Sequence, residues 1–148
     1  MWTKTKSLTL SLWVVRIFMV VLVAAVFFLP SLLDWYLEFS VRPDSMLGPL
    51  LMALYSSAIP AGIILWFLNK LLSNIRRDDV FIEGNVHCLR VISWSCFAVG
   101  VIYLILGISF PFSLLIGIAA TFIWLILRVL KNVFAQAVVI KAENDYTI

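Results

Sequence analysis

The segment from Asn69 to Arg90, NKLLSNIRRDDVFIEGNVHCLR, is the one strongly charged interior stretch of a chain that is otherwise almost entirely apolar. The chain has 148 residues, of which 64% are hydrophobic and 13% are charged. Soluble domains carry about twice that share of charged residues. The sequence therefore predicts an integral membrane protein that its charged segment divides into two apolar halves.

Each half contains two apolar runs, and a helix that crosses a bilayer needs about 20 such residues. We therefore predict an all-α, integral membrane four-helix bundle formed by a single domain. The predicted spans are residues 8–29, 46–72, 88–109 and 111–130, with a loop at 73–87 and a helical tail at 131–148. Residues 30–45 mix acidic and aromatic side chains, which predicts a segment at the outer interface that anchors the protein or binds a ligand.

The connection between the third and fourth spans, around residues 108–112, leaves room only for a tight hairpin, so these two helices should be antiparallel neighbours. Small residues, which permit close helix approach, form a stripe along the third span. A second stripe of residues at helical spacing runs along the fourth span. The two stripes are Ser93, Cys96, Gly100 and Gly107, and Gly117, Thr121, Trp124 and Arg128.

The distribution of basic residues predicts the orientation. Four spans place both termini and the central loop on one side of the membrane. Nine basic residues lie on that side: Lys4, Lys6, Lys70, Arg76, Arg77, Arg90, Arg128, Lys131 and Lys141. The opposite loops contain only Arg42. Because basic residues collect on the cytoplasmic side, we expect both termini and the central loop to be cytoplasmic.

Four residues inside the spans stand out. Arg16 interrupts the first span, where it either snorkels to the cytoplasmic phosphates or faces the bundle and bonds polar groups there. Pro60 interrupts the second span and removes the hydrogen bond to the carbonyl of Ser56. Ser56 and Ser57 are expected to satisfy the freed backbone groups. The resulting notch either packs against a neighbouring helix or lines a transport cavity.

No group of residues in the sequence predicts catalysis or metal binding. The chain has one histidine, His87, and Glu83 lies one helical turn away, which predicts an ion pair on a helix face or a pH-sensitive contact. The net charge of +3 is explained by membrane topology, so it does not indicate nucleic-acid binding. We expect a protein without enzymatic activity, cofactor, bound metal or direct contact with nucleic acid.

The central segment and the carboxyl end resemble a known family. The pattern Leu71-Leu72, Ile75-Arg76-Arg77, Val80-Phe81, Glu83 to Asn85 and Leu89-Arg90, together with the ending from Lys141 to Ile148, is similar to the YoaS-like family of uncharacterised, small four-span bacterial membrane proteins. The resemblance implies the bacterial cytoplasmic membrane. It also implies a cytoplasmic helix-turn-helix regulator as partner, because family members are often encoded beside one.

One residue departs from the family pattern. The position after Phe81 is typically Ser or Thr in that family, where it caps the third helix, whereas this chain has Ile82. Asp79 or Asn85 would then have to supply the cap.

These expectations combine into one leading hypothesis: the loop and tail contact a soluble partner. The expected contact residues are Arg76, Arg77, Asp78, Asp79, Phe81, Glu83, Asn85, Arg90, Glu143, Asn144 and Asp145. The alternatives are immunity or stress protection, a small transport or pore protein, and a subunit of a larger membrane complex. The sequence leaves homo-oligomerisation open, and it also allows that the charged residues only fix the topology.

Overall fold

The computed structural model describes residues 3–39 and 44–146, and these residues form four long helices. The helices are α1 (Lys4–Glu38), α2 (Leu47–Arg76), α3 (Glu83–Leu106) and α4 (Ser113–Tyr146), with a short 3₁₀ turn at Asp44–Met46 before α2. All four are long and apolar enough to cross a membrane. The prediction of an all-helical bundle with four such helices is thereby confirmed.

The helices pack in the order of the chain: α1 against α2, α2 against α3, and α3 against α4. Helix α3 is the central one, because 39% of its most apolar stretch is buried, against 11% in each of the other helices. Helix α1 lies at the edge and buries mainly Leu12, Val15 and Leu33. Many of the other large apolar side chains of α1 and α4 are exposed, as expected of a protein solvated by lipid.

Small residues set the spacing between α3 and α4, as the sequence predicted. Gly100 and Gly117 are both buried. A β-carbon on Gly117 would lie 2.9 Å from the backbone nitrogen of Leu104, and one on Gly100 would lie 2.7 Å from the hydroxyl of Thr121. The two backbones therefore approach too closely at Gly117 for a larger residue, whereas a larger residue at Gly100 would require the side chain of Thr121 to move.

Helix α1 continues through Pro30 to Glu38, so the first part of the expected interfacial segment belongs to this helix. Proline at position 30 removes the intrahelical donor for the carbonyl of Val26. The hydroxyl of Tyr55, on α2, donates to that carbonyl at 3.4 Å. The neighbouring helix thus compensates for the proline. The rest of the expected interfacial segment is residues 39–45. Of these, residues 40–43, which include Arg42, lie outside the described residues.

The connection between α2 and α3 consists of residues 77–82 alone, shorter than the predicted loop at 73–87. Residues 73–76, predicted as part of the loop, remain helical because the end of α2 is determined by a backbone turn at Asp78 and not by hydropathy. Helix α4 likewise continues unbroken to Tyr146. Its 34 residues span about 51 Å at 1.5 Å per residue, so it extends beyond a hydrocarbon core of about 30 Å.

Candidate interaction site at the loop end

Three parts of the chain meet at one end of the bundle, which we call the loop end because it carries residues 77–82. The ammonium group of Lys4, at the start of α1, lies 3.7 Å from a carboxylate oxygen of Asp78. The rings of Phe81 and Phe134 lie 5.6 Å apart, which brings the extension of α4 against the loop. The core beneath contains Leu71, Cys88 and Leu89.

Asn85 organises the loop from inside. Its side chain is completely buried. The amide nitrogen donates to the backbone carbonyl of Asp79 at 2.8 Å and to that of Val80 at 2.7 Å. The amide oxygen accepts a hydrogen bond of 2.9 Å from the side chain of Asn74, on α2. One buried side chain therefore connects α2, the loop and α3.

This arrangement changes the role expected of Asn85. The residue is buried, so it has no surface to offer a partner. Nor does it cap α3: the capping position is Ile82, whose side chain makes no capping hydrogen bond. Asn85 lies within the first turn of α3, and its amide oxygen accepts a hydrogen bond from the side chain of Asn74 instead of from a backbone N–H of the helix start. Asp79 contributes its backbone carbonyl to Asn85, and no side chain caps α3.

The end of α2 is a Schellman turn. The N–H of Asp78 donates to the carbonyl of Ile75, and the N–H of Asp79 donates to that of Asn74, both at 3.1 Å. Asp78 has a φ of 65°, the left-handed conformation that this turn requires at its penultimate position. Glycine usually occupies that position, because a β-carbon there costs about 1 kcal/mol.

Replacing Asp78 by glycine should therefore stabilise the protein. We expect the free energy of unfolding to rise by about 1 kcal/mol, because the strain of the left-handed aspartate exceeds the value of its exposed ion pair with Lys4. Thermal unfolding of the purified protein in detergent measures this. Asp78→Asn is the matched control, since asparagine tolerates the conformation but removes the charge, and it should change stability by less than about 0.5 kcal/mol. A destabilised glycine variant would contradict the account of the turn.

The other expected contact residues are exposed: those within residues 76–83 lie on the surface of the loop end, whereas Arg90 lies about two helical turns farther along α3. Phe81 is 42% exposed although it packs on Phe134. The remainder are exposed: Arg76, Arg77, Asp78, Asp79, Glu83, Arg90, Glu143, Asn144 and Asp145. Glu143 to Asp145 lie on the last helical turns of α4. The loop end thus has an exposed charged surface around a partly exposed aromatic ring.

His87 does not form the expected ion pair with Glu83. Its imidazole ring contacts the ring of Phe67, on α2, with the centroids 6.0 Å apart and the planes at 69°. The described residues contain no salt bridge between Glu83 and His87. The exposed His87 therefore has an aromatic contact with α2 in place of a salt bridge to Glu83.

The intramembrane polar residues take different positions. Arg16 is exposed on the outer side of α1, next to the buried Val15, and its guanidinium has no polar partner within residues 3–39 and 44–146. This placement favours the snorkelling alternative. Pro60 lies within an uninterrupted α2.

The serines near Pro60 do not bond the carbonyl that the proline frees. The hydroxyl of Ser56 donates to the carbonyl of Met52 at 2.6 Å, and that of Ser57 donates to the carbonyl of Leu54 at 3.0 Å. A serine hydroxyl in a helix reaches the carbonyl of the preceding turn, whereas the carbonyl of Ser56 itself points towards the following turn. Ser57 also lies 3.4 Å from the hydroxyl of Tyr103, which links α2 to α3.

The fold and composition define a multi-pass membrane protein with an ordered polar loop at one end. Residues 40–148 match a family described as "Protein of unknown function (DUF2975)", and the chain belongs to this family. No curated protein matches the chain. No solved structure matches it either.

Proposed function

We propose that the protein is a non-enzymatic bacterial membrane protein of the YoaS-like type, and that its loop end binds a soluble cytoplasmic partner such as a helix-turn-helix regulator. Two features support the cytoplasmic orientation. The basic residues are concentrated in the segments that meet at this end. The ion pair between Lys4 and Asp78 places the start of α1 beside the loop.

The observation that carries the proposal is the buried amide of Asn85. If the basic residues only determined the topology, they would have to lie on the correct side of the membrane, but the loop that carries them would not need a defined conformation. Here Asn85 has both its N–H groups bound to loop carbonyls. A surface that is already ordered loses little conformational entropy on binding, which favours recognition.

The composition of this surface fits a protein interface. Phe81 supplies an aromatic side chain supported from behind by Phe134. The exposed charged side chains of Arg76, Arg77 and Asp79 belong to the same short segment. Arginine and aromatic residues are the side chains that most often dominate binding energy at interfaces. We therefore assign Phe81 and Arg77 as the central contacts.

Measuring binding of the detergent-purified protein to a helix-turn-helix regulator from the same genome tests the proposal. Arg77→Ala and Phe81→Ala should each weaken binding about thirtyfold, the effect of losing about 2 kcal/mol at a central contact. Lys6→Ala is the matched control: it removes an exposed charge near the loop end and should change affinity less than about threefold.

Binding that is unchanged in both loop variants would contradict the proposed surface. A deletion strain that becomes sensitive to membrane-active peptides without any transcriptional change would favour the protective alternative instead. Removal of residues 143–148 distinguishes a contribution of the tail from that of the loop.

A further inference from the structure

One face of α3 is exposed along much of its length. Glu83, His87, Arg90, Trp94 and Ala98 recur every three or four residues along this face, and all five are exposed. A groove follows each side of it. Arg90 lines both grooves, so it lies where the two meet.

The first groove lies between α2 and α3 and has a volume of about 570 Å³. Its walls are almost entirely apolar, and they include Ile59, Pro60 and Ile63 from α2 and Ala98 and Ile102 from α3. From Arg90 to Ile102 the groove extends about 18 Å, at 1.5 Å per residue. That length is close to the hydrocarbon thickness of one leaflet, about 15 Å. A single acyl chain therefore matches the groove in both length and polarity.

The second groove lies between α3 and α4 and has a volume of about 380 Å³. The packing of these antiparallel helices determines which residues of α4 stand level with Arg90. Trp94 contacts Trp124, with ring centroids 6.4 Å apart. Arg90 precedes Trp94 by one helical turn and Arg128 follows Trp124 by one turn. Because the helices run in opposite directions, both arginines are displaced from the tryptophan pair towards the loop end, each by about one turn of its own helix.

The closest contacts between the two helices place Arg90 level with Lys131, so Arg128 is displaced by three residues, about 4.5 Å along the axis. Glu83 and Val138 line the same groove nearer the loop end, and Gly100 packs on Thr121 farther from it. Between these two levels, Arg90 stands opposite the turn of α4 that contains Arg128 and Lys131.

The two arginines are not neutralised within the protein. Among residues 3–39 and 44–146, neither guanidinium forms a salt bridge. That of Arg128 lies over the ring of Trp124, 5.5 Å from its centroid. The carboxylate on the same face of α3, Glu83, is about 10 Å away along the helix axis. Arg90 lies at the end of the apolar groove, and Arg128 lies on the facing helix over Trp124. Two guanidinium groups that have no carboxylate partner among the described residues at this level fit a phosphate at the membrane interface.

We propose that this face binds one anionic phospholipid. Arg90 and Arg128 contact its phosphate, Lys131 adds positive charge at the same depth, and one acyl chain lies in the groove between α2 and α3 beside Pro60. Basic pockets between membrane helices recognise anionic headgroups in this way. The site is separate from the loop-end surface, and its occupancy does not depend on the partner proposed above.

Native mass spectrometry of the full-length protein in an uncharged detergent tests this inference. Phosphatidylglycerol and phosphatidylcholine with identical acyl chains are titrated separately. The wild-type protein should bind one phosphatidylglycerol at least about tenfold more tightly than phosphatidylcholine. The double variant Arg90→Gln/Arg128→Gln should weaken phosphatidylglycerol binding about thirtyfold, the effect of two lost charge contacts.

The matched control is Arg76→Gln/Arg77→Gln, which removes the same net charge from the loop end outside the grooves. It should change phosphatidylglycerol affinity less than about threefold. An equal loss in both double variants, or equal affinity of the wild type for the two lipids, would overturn the proposal. The wild-type comparison requires no variant to fold.

The acyl-chain contact has its own test. Ala98→Trp fills the groove from its exposed side and should weaken phosphatidylglycerol binding about tenfold. Glycerol phosphate, which has the headgroup charge but no chains, should bind far more weakly than the lipid. If glycerol phosphate binds as tightly as phosphatidylglycerol, or if Ala98→Trp has no effect, the groove is not the chain site.

Discussion

Replacement of Asn85 by leucine is expected to destabilise the protein by about 2–4 kcal/mol and to release the loop that follows α2. The buried amide makes three hydrogen bonds, to the side chain of Asn74 and to the carbonyls of Asp79 and Val80. Leucine is similar in volume but forms none of them, so these groups would be buried without partners.

Limited trypsin digestion measures the local part of this effect. Arg76 and Arg77 are the cleavable residues at the end of α2, and both are exposed. In the native protein the ordered turn should slow cleavage after them, whereas Asn85→Leu should accelerate it about tenfold or more, because cleavage follows the population of the open loop. Thermal unfolding in detergent reports the global loss.

The matched control is Asn132→Leu, the same substitution at an exposed position of α4. It should leave both the cleavage rate after Arg77 and the unfolding temperature almost unchanged. If Asn85→Leu behaves like this control, the amide does not order the loop, and the main support for a preorganised binding surface is lost.

Substitution of Gly117 by alanine is expected to separate α3 from α4 and to cost about 2–3 kcal/mol. The added methyl group would lie 2.9 Å from the backbone nitrogen of Leu104 and 2.8 Å from its Cγ. Backbone cannot rotate away, so the helices themselves must move. At Gly100 the nearest atom is the side-chain hydroxyl of Thr121, which can adopt another rotamer, so Gly100→Ala should cost less.

Gly62→Ala provides the control for helix propensity. Gly62 also lies inside a long helix, but a β-carbon there would meet only a side-chain atom of Leu22, at 3.8 Å. Alanine is the better helix former, so this variant should be neutral or more stable by up to about 1 kcal/mol. Unfolding temperatures of the three variants in one detergent give the comparison. Equal stability of the Gly117 and Gly62 variants would contradict the close approach of α3 and α4.

The hairpin of α3 and α4 could be predicted because helix packing in a membrane requires residue types that are recognisable in the sequence. Without a hydrophobic force between helices, close approach requires small residues at helical spacing. Gly100 and Gly117 are such residues, and both are buried at the contact. The short connection between the two helices allowed only an antiparallel arrangement. The number of helices followed from hydropathy, because each helix that crosses a membrane requires its own run of about 20 apolar residues.

The role of Asn85 could not be predicted from its charged surroundings, which indicated an exposed loop. A useful pattern was nevertheless present. Asn85 continues a stripe of buried residues on α3 that includes Cys88, Leu89 and Ile92, at helical spacing. A polar residue in phase with an apolar stripe indicates burial with hydrogen-bond partners. Its partners are mainly loop carbonyls, and backbone groups carry no sequence pattern.

The end of α2 was missed for a related reason. Hydropathy indicates where a helix leaves the apolar layer, and the residues from Ser73 onward met that criterion. The backbone remains helical to Arg76 and stops where Asp78 adopts a left-handed conformation. A glycine at position 78 would have indicated the turn in the sequence, whereas an aspartate at that position is not a signal for it.

The central claim is that the loop end lies on the cytoplasmic side, where a soluble partner can reach it. A single cysteine at position 76, in a chain whose buried Cys88 and Cys96 are replaced by alanine, tests it most directly. Intact and permeabilised cells are treated with a thiol reagent that does not cross membranes. Labelling only after permeabilisation is the predicted result. Labelling of position 76 in intact cells would place the loop outside and contradict the account.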